Sequence, residues 1–241
     1  MGRLKPITDY FYHIYNRGVD KRIIFENNSD YVRFLHLLYA CNDKNIGLDN
    51  IRKKINVKSP TLNINKNRVP LVDIVCFVLM PNHYHLILKQ LEDNGISRFM
   101  HRLGTAYTNY FNTKNERTGS LLQGKYKAKY IKADIDLLYL SKYVHLNPIG
   151  LIEKDWKDIG ICDEKKADKL IREYRWSSYL DYIGIKNFPS IINKEFIVSY
   201  YKKPEDYKRF IDSFISGEFE QINHILINVK SPTLNILKEI K

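Results

Sequence analysis

The residues best suited to chemistry fall in two short stretches. The first is His83-Tyr84-His85, inside Met80–Leu88 (MPNHYHLIL). Residues two apart on a strand point to the same face, so the two imidazoles project together and can share one metal ion. The second is Tyr143–Pro148 (YVHLNP), with Tyr139 just ahead of it. On a helix Tyr139, Tyr143 and Asn147 are spaced by four and lie on one face, which gathers phenol and amide groups. Either stretch alone is weak. A bare His-x-His is common on polar strand faces, and aromatic helix faces are commonly core. Pro148 also disfavours helical geometry at Asn147 and leaves the direction of that side chain open.

Together the two stretches describe a reaction. A free tyrosine hydroxyl has a pKa of about 10, so only about 0.1% is ionised at neutral pH. It needs help to attack a phosphodiester. A divalent ion on His83 and His85 can bind a non-bridging phosphate oxygen and offset the charge that develops in the transition state. The attack gives a covalent phosphotyrosine and a free hydroxyl on the other DNA end, and a second end can later rejoin. Asn147 is the nearest candidate for a third ligand. The ion must also accept phosphate oxygen, so it should be hard, Mg²⁺ or Mn²⁺.

Composition fits a polyanionic partner. The 241 residues carry 39 Lys+Arg against 27 Asp+Glu, a formal net charge of +12. Such a balance favours nucleic acid first and an acidic membrane surface second. The hydrophobic fraction of 44% is enough for a globular core. No apolar run reaches the length of a membrane span, and the first residues lack a signal-peptide pattern, so a cytoplasmic protein is expected. Cys41, Cys76 and Cys162 are scattered and read as reduced thiols.

The elements that must position these groups follow from patterning. Asp9 to Tyr15 reads as a strand that ends in the turn Asn16-Arg17-Gly18. Asp30 is placed to cap a helix running to about Asp43. Val72 to Met80 is a strand buried on both faces, and Pro81-Asn82 turns it into a second strand, His83 to Leu91. Ile96, Phe99, Met100, Leu103, Tyr107 and Tyr110 make a helical stripe. Tyr126 to Lys132 reads as a third central strand. Asp134 is placed to cap a helix that ends before Pro148. Trp176-Ser177-Ser178-Tyr179 reads as a short helical piece, and a late helix starts at Pro204 and stops at Gly217.

Residues 44–70 are rich in Asn and Lys and read as an inserted surface loop. The ten residues Ile55–Ile64 (INVKSPTLNI) recur letter for letter at Ile227–Ile236. Ten residues are too few for a solenoid unit. A short mobile DNA repeat copied twice into the coding sequence accounts for the match.

The motifs resemble a known family. MPNHYHLIL and YVHLNP look like the two signatures of the single-tyrosine HUH transposases, and specifically the REP-associated tyrosine transposases. Tyr12–Gly18 (YHIYNRG), Leu121–Tyr130 (LLQGKYKAKY) and Tyr174–Tyr179 (YRWSSY) match the same branch in the same order. The likeness spans residues 8–45 and 71–215. It implies an α/β (α+β) ferredoxin-like HUH domain, with a central antiparallel sheet and helices packed on it. Residues 1–150 would form the catalytic domain with 44–70 inserted, 151–217 a helical extension, and 218–241 a tail. It implies Tyr143 as nucleophile, with Tyr139 as runner-up, and His83 and His85 as metal ligands. Asn147 stands where related transposases carry a Gln.

The implied activity is metal-dependent cleavage and rejoining of hairpin-containing single-stranded DNA through a 5′-phosphotyrosine. Basic and amide groups that could line a DNA groove are Asn16, Arg17, Arg102, Lys125, Lys127 and Lys129. The alternative is a domesticated descendant that grips hairpin DNA or RNA without cutting it; the intact His83, His85 and Tyr143 argue against it, and both a monomer and a homodimer stay open.

Overall fold

The computed structural model describes residues 5–47, 67–201 and 203–217. The repeated decapeptide, most of the 44–70 loop and the 218–241 tail therefore lie outside the described residues.

Four strands form one antiparallel sheet: β1 (Phe11–Arg17), β2 (Val72–Met80), β3 (His83–Gln90) and β4 (Lys127–Tyr130). Their order is β2-β3-β1-β4. With α1 (Asn28–Ala40) between β1 and β2, and α2 (Gly95–Lys114) between β3 and β4, this is the split βαβ ferredoxin-like arrangement. The β2–β3 hairpin expected from the apolar runs is present, with Met80 opposite His83. The third strand differs from expectation. It is four residues long and sits at the sheet edge beside β1, with most of its residues exposed. Its alternating lysines suit an edge open to solvent, since charge there blocks pairing with another chain.

Two separate cores cover the faces of the sheet. On one, Tyr12, Ile14, Phe77, Tyr84 and Leu86 pack against Phe34 and Leu38 of α1 and Phe99, Leu103 and Tyr107 of α2. On the other, Val78, Met80 and Ile87 meet Leu138 and Val144 of α3 (Asp134–Leu146). Short helices follow in this second layer: α4 (Trp156–Ile159), α5 (Glu164–Glu173), α6 (Tyr179–Tyr182), α7 (Glu195–Val198) and α8 (Pro204–Ile215).

Several local expectations shift for identifiable reasons. β1 runs on through Asn16 and Arg17, because both pair with β3. Gly18 follows; a Cβ there would collide with the Arg22 carbonyl. Asn27, not Asp30, caps α1. Its side chain accepts from the Ser29 and Asp30 amides, and Asp30 reaches back to the Asn27 amide in a capping box. Asp134 is the first residue of α3 and no cap; Asp136 accepts from the Ala133 amide.

Trp176–Ser178 is not helical. The Leu79 amide donates to the Trp176 carbonyl at 2.9 Å and the Ser178 amide to the Phe77 carbonyl at 3.0 Å. The segment thus covers the outer edge of β2, and α6 begins only at Tyr179.

Candidate active site

β1 and β3 are neighbours in the sheet, and their register sets Arg17 opposite His83 and Tyr15 opposite His85. The imidazoles of His83 and His85 share one face, ring centroids 5.1 Å apart and perpendicular. α3 crosses this face and brings Tyr143 edge-on to His85, at 5.5 Å between centroids. One turn later Asn147 opens a 3-10 turn, Asn147–Leu151. Pro148 does not push Asn147 out of helical geometry: its φ and ψ are −54° and −34°, and its amide donates to the Val144 carbonyl. That tightened last turn keeps Asn147 on the face of Tyr143. The Asn147 Oδ1 therefore lies 3.3 Å from His83 Nε2.

Each histidine is held from behind. His83 Nδ1 donates to Asn82 Oδ1 at 2.6 Å, which leaves Nε2 as a lone pair. His85 Nδ1 shares a 2.8 Å hydrogen bond with His13 Nε2 from β1. Burial lowers the pKa of His83 to about 4, aided by the Lys157 and Arg17 charges and opposed by the bond to Asn147. Burial takes His85 well below its ordinary value, and the charges of His13, His83 and Lys157 push the same way. His13 is lowered to about 4, by burial first and Lys129 second. All three imidazoles are then neutral at pH 7, the form that binds a metal.

The donor set fits a divalent cation. His83 Nε2 and Asn147 Oδ1 face each other at 3.3 Å, a nitrogen and an oxygen of the kind a hard divalent cation accepts. The Asn147 Nδ2 is buried and lacks a partner among the described residues. A second partner on each imidazole fixes tautomer and ring orientation, as around metal-bound histidines generally. Among the described residues no three His, Cys, Asp or Glu side chains gather for a metal.

The two tyrosines of α3 part company. Tyr139 packs on Phe210 and Phe214 of α8. Tyr143 is half-buried and faces the histidines, and the Lys157 ammonium donates to its hydroxyl at 3.0 Å. Trp156, the neighbour of Lys157 on α4, stacks on the Tyr143 ring at 6.5 Å. Pattern reading missed His13, Lys157 and Trp156. His13 lies within YHIYNRG, but its partner His85 is 72 residues away.

Two clefts open beside His83. One, about 390 Å³, is lined by Tyr15, Arg17, Lys21, Gln123 and Lys127. The other, about 420 Å³, is lined by Asn147, Lys154, Trp156 and Lys157. Arg17 Nε donates to Gln123 Oε1 at 2.5 Å. Lys127 pairs across from Tyr15 and Lys129 from His13, so both belong to the histidine face. Asn16 points to the opposite face. It is buried, with its amide donating to the Gly124 carbonyl and accepting from the Arg17 amide. It lines a third cleft of about 510 Å³ with Lys125, His101 and Asn109. Arg102 is not gathered into any of these clefts; its guanidinium donates to the carbonyls of Asp43 and Cys41 and ties α2 to the end of α1.

Residues 35–147 match the family model described as "Transposase IS200 like". That stretch holds both histidines, Tyr143 and Asn147. The solved structure described as "Structure of the REP associates tyrosine transposase bound to a REP hairpin" is similar at a TM-score of 0.47 and 14% identity, over 78% of this chain and 90% of that one. No curated protein matches the chain. Among the described residues no helix is long and apolar enough to cross a membrane.

Proposed function

We propose that this chain is a single-tyrosine HUH transposase of the REP-associated branch, which cuts and rejoins single-stranded DNA carrying a hairpin. The observation that carries the reading is the meeting of Tyr143, His83, His85 and Asn147 on one face, from a strand and a helix 64 residues apart in sequence at the His83–Asn147 contact. His83, His85 and Asn147 would hold a divalent ion, Mg²⁺ or Mn²⁺. That ion, when bound, supplies positive charge to the non-bridging oxygens of the scissile phosphate.

The chain's own groups do the rest. His13 and Asn82 hold the two imidazoles in orientation. Tyr143 Oη attacks phosphorus; the Oη–phosphorus bond forms as the bond to the 3′ oxygen breaks. The product is a 5′-phosphotyrosine and a free 3′ hydroxyl, and attack by another 3′ hydroxyl restores the phenol. Arg17 and Lys127, in the cleft beside His83, and Lys129 on the same face are suited to hold flanking phosphates; such contacts give affinity and salt dependence, not sequence choice. Asn16 and Lys125 are proposed contacts on the third cleft. DNA contact is not proposed for Arg102, whose donors serve the end of α1. Residues 1–150 are the proposed catalytic unit, and 151–217 an extension that reaches back into the site through Trp156 and Lys157.

The test is incubation of wild type and Tyr143→Phe with labelled single-stranded hairpin DNA from the gene's own flanks, with Mg²⁺ or Mn²⁺, on a denaturing gel. A slow-migrating covalent band that needs both Tyr143 and metal is expected. Binding on a native gel with no covalent band from wild type would replace this reading with a hairpin-binding protein that does not cut.

A further inference from the structure

We propose that Lys157 is a catalytic residue: it holds the Tyr143 hydroxyl and pairs with the negative charge on that oxygen when the tyrosine attacks and when it leaves. The inference rests on the nuclease reading above and adds a group that neither signature motif contains.

Three contacts carry it. The Lys157 ammonium donates to the Tyr143 hydroxyl at 3.0 Å. The same nitrogen lies 4.7 Å from the centre of the Tyr143 ring and 5.7 Å from that of Trp156. Trp156 in turn stacks on Tyr143. The lysine is exposed at the mouth of the cleft that also holds His83 and Asn147, and no carboxylate is paired with it among the ion pairs of the described residues. A free surface lysine gains little from a phenol, whereas an ammonium beside a reacting oxygen meets charge as it develops.

The step balances simply. In cleavage the phenol proton passes to water, the Oη–phosphorus bond forms, and the 3′ oxygen leaves and takes a proton from water. In rejoining, an incoming 3′ hydroxyl attacks phosphorus and Oη departs as phenolate, already paired with the ammonium, before it regains a proton. Lys157 stabilises both passages through the same oxygen. The leaving group in rejoining is the tyrosine oxygen, the nucleophile of cleavage, so the lysine acts in both directions.

The experiment compares wild type, Lys157→Met and Lys157→Arg in single-turnover adduct formation on the hairpin strand. Lys157→Met is expected to slow the chemical step about 10²–10³-fold, the usual cost of one lost oxyanion donor. Half-saturation by DNA should move by less than about threefold, because no phosphate contact is lost. Lys157→Arg should recover to within about tenfold of wild type, since it keeps charge and donors. The Lys157→Met defect should persist on a substrate whose scissile 3′ oxygen is replaced by sulfur, a leaving group that needs no proton.

A defect that disappears on the sulfur substrate would put the lysine on the leaving oxygen and overturn the proposal. So would a loss confined to DNA affinity, with the salt slope of log K reduced by about one, which marks a plain phosphate anchor. Wild-type rates in Lys157→Met would end the proposal alone, while absence of any wild-type adduct would end the nuclease reading and the proposal with it.

Discussion

The same four strands present two faces, and the faces are built on different rules. On the α1–α2 face the buried carboxylate is closed. Asp30 is fully buried, and its carboxylate takes hydrogen bonds from Lys114 at 2.9 Å, Tyr110 at 2.8 Å and the Glu26 amide at 2.8 Å. Each of these groups is answered within the face. On the α3 face polar groups are partly unanswered. His83 Nε2 and Asn147 Oδ1 lie 3.3 Å apart, and Asn147 Nδ2 has no partner among the described residues. Buried polar atoms are normally satisfied, and this one lies beside the histidine pair. The first face stabilises; the second carries the proposed site.

The sharpest break of that contrast lies inside α3 itself. Tyr143→Phe should abolish the covalent adduct, a loss of at least about 10⁴-fold in strand cleavage, with thermal stability unchanged. Tyr139→Phe should leave adduct formation within about threefold, because its ring packs on Phe210 and Phe214 and its hydroxyl is not in the site. Reversed results in the gel assay would exchange the roles of the two tyrosines and undo the reading of this face.

On the stabilising face the expected effect is on folding alone. Asp30→Ala removes the acceptor shared by Lys114, Tyr110 and two amides and should cost about 3–5 kcal/mol in urea unfolding. The specific activity of the folded fraction should stay at the wild-type value. A variant that folds normally but cuts poorly would mean that the two faces are coupled.

A third difference is in pH dependence. Burial lowers His145 to about 3; it is fully buried between the Tyr207 hydroxyl and Ser178. It lies on the α3 side but is closed, like Asp30. A folded pKa below the unfolded value of about 6.5 means the unfolded chain takes up the proton first as pH falls. Stability from this group is therefore complete above about pH 6.5 and declines toward acid, by about 3 kcal/mol at pH 4. His145→Gln should flatten the acid limb of the urea midpoint measured from pH 7.5 to 4; an unchanged limb would assign it to His13, His83 and His85, which shift the same way.

What could be read from the chain ahead of the fold was the part that a local period encodes. His83 and His85 share a face because strands repeat every two residues, and Tyr143 and Asn147 because helices repeat about every four. The apolar run Val72–Met80 emerged with its expected ends. What the chain did not disclose depends on register and packing. His13 matters only because β1 lies beside β3, and no spacing reveals that. Tyr139 and Tyr143 share a helix face by periodicity, yet Tyr139 turns to α8 and Tyr143 to the histidines, because helix neighbours differ along its length. Trp176–Ser178 looks helical in isolation and becomes an edge partner of β2 only when β2 offers free backbone groups. Lys157 follows its tyrosine by fourteen residues across a 3-10 turn, a separation no motif carries.

The most direct measure of the open face is at His13. His13 bonds His85 at 2.8 Å and meets the Tyr143 ring edge-on at 6.3 Å. It is 8% exposed and stacks on the His85 ring at 5.0 Å between centroids. His13→Phe keeps the bulk and the stacking and removes the hydrogen bond. The His85 ring then loses the partner that sets its tautomer, and the Nε2 lone pair is no longer fixed toward the cation. Loss of such a partner typically costs about 10–100-fold in metal affinity. Mn²⁺ titration of His13→Phe, with His85→Ala as the reference for complete loss, should fall between wild type and that reference. Binding as tight as wild type would mean that His85 needs no support from β1, and that the open valences on this face are held by α3 and β3 alone.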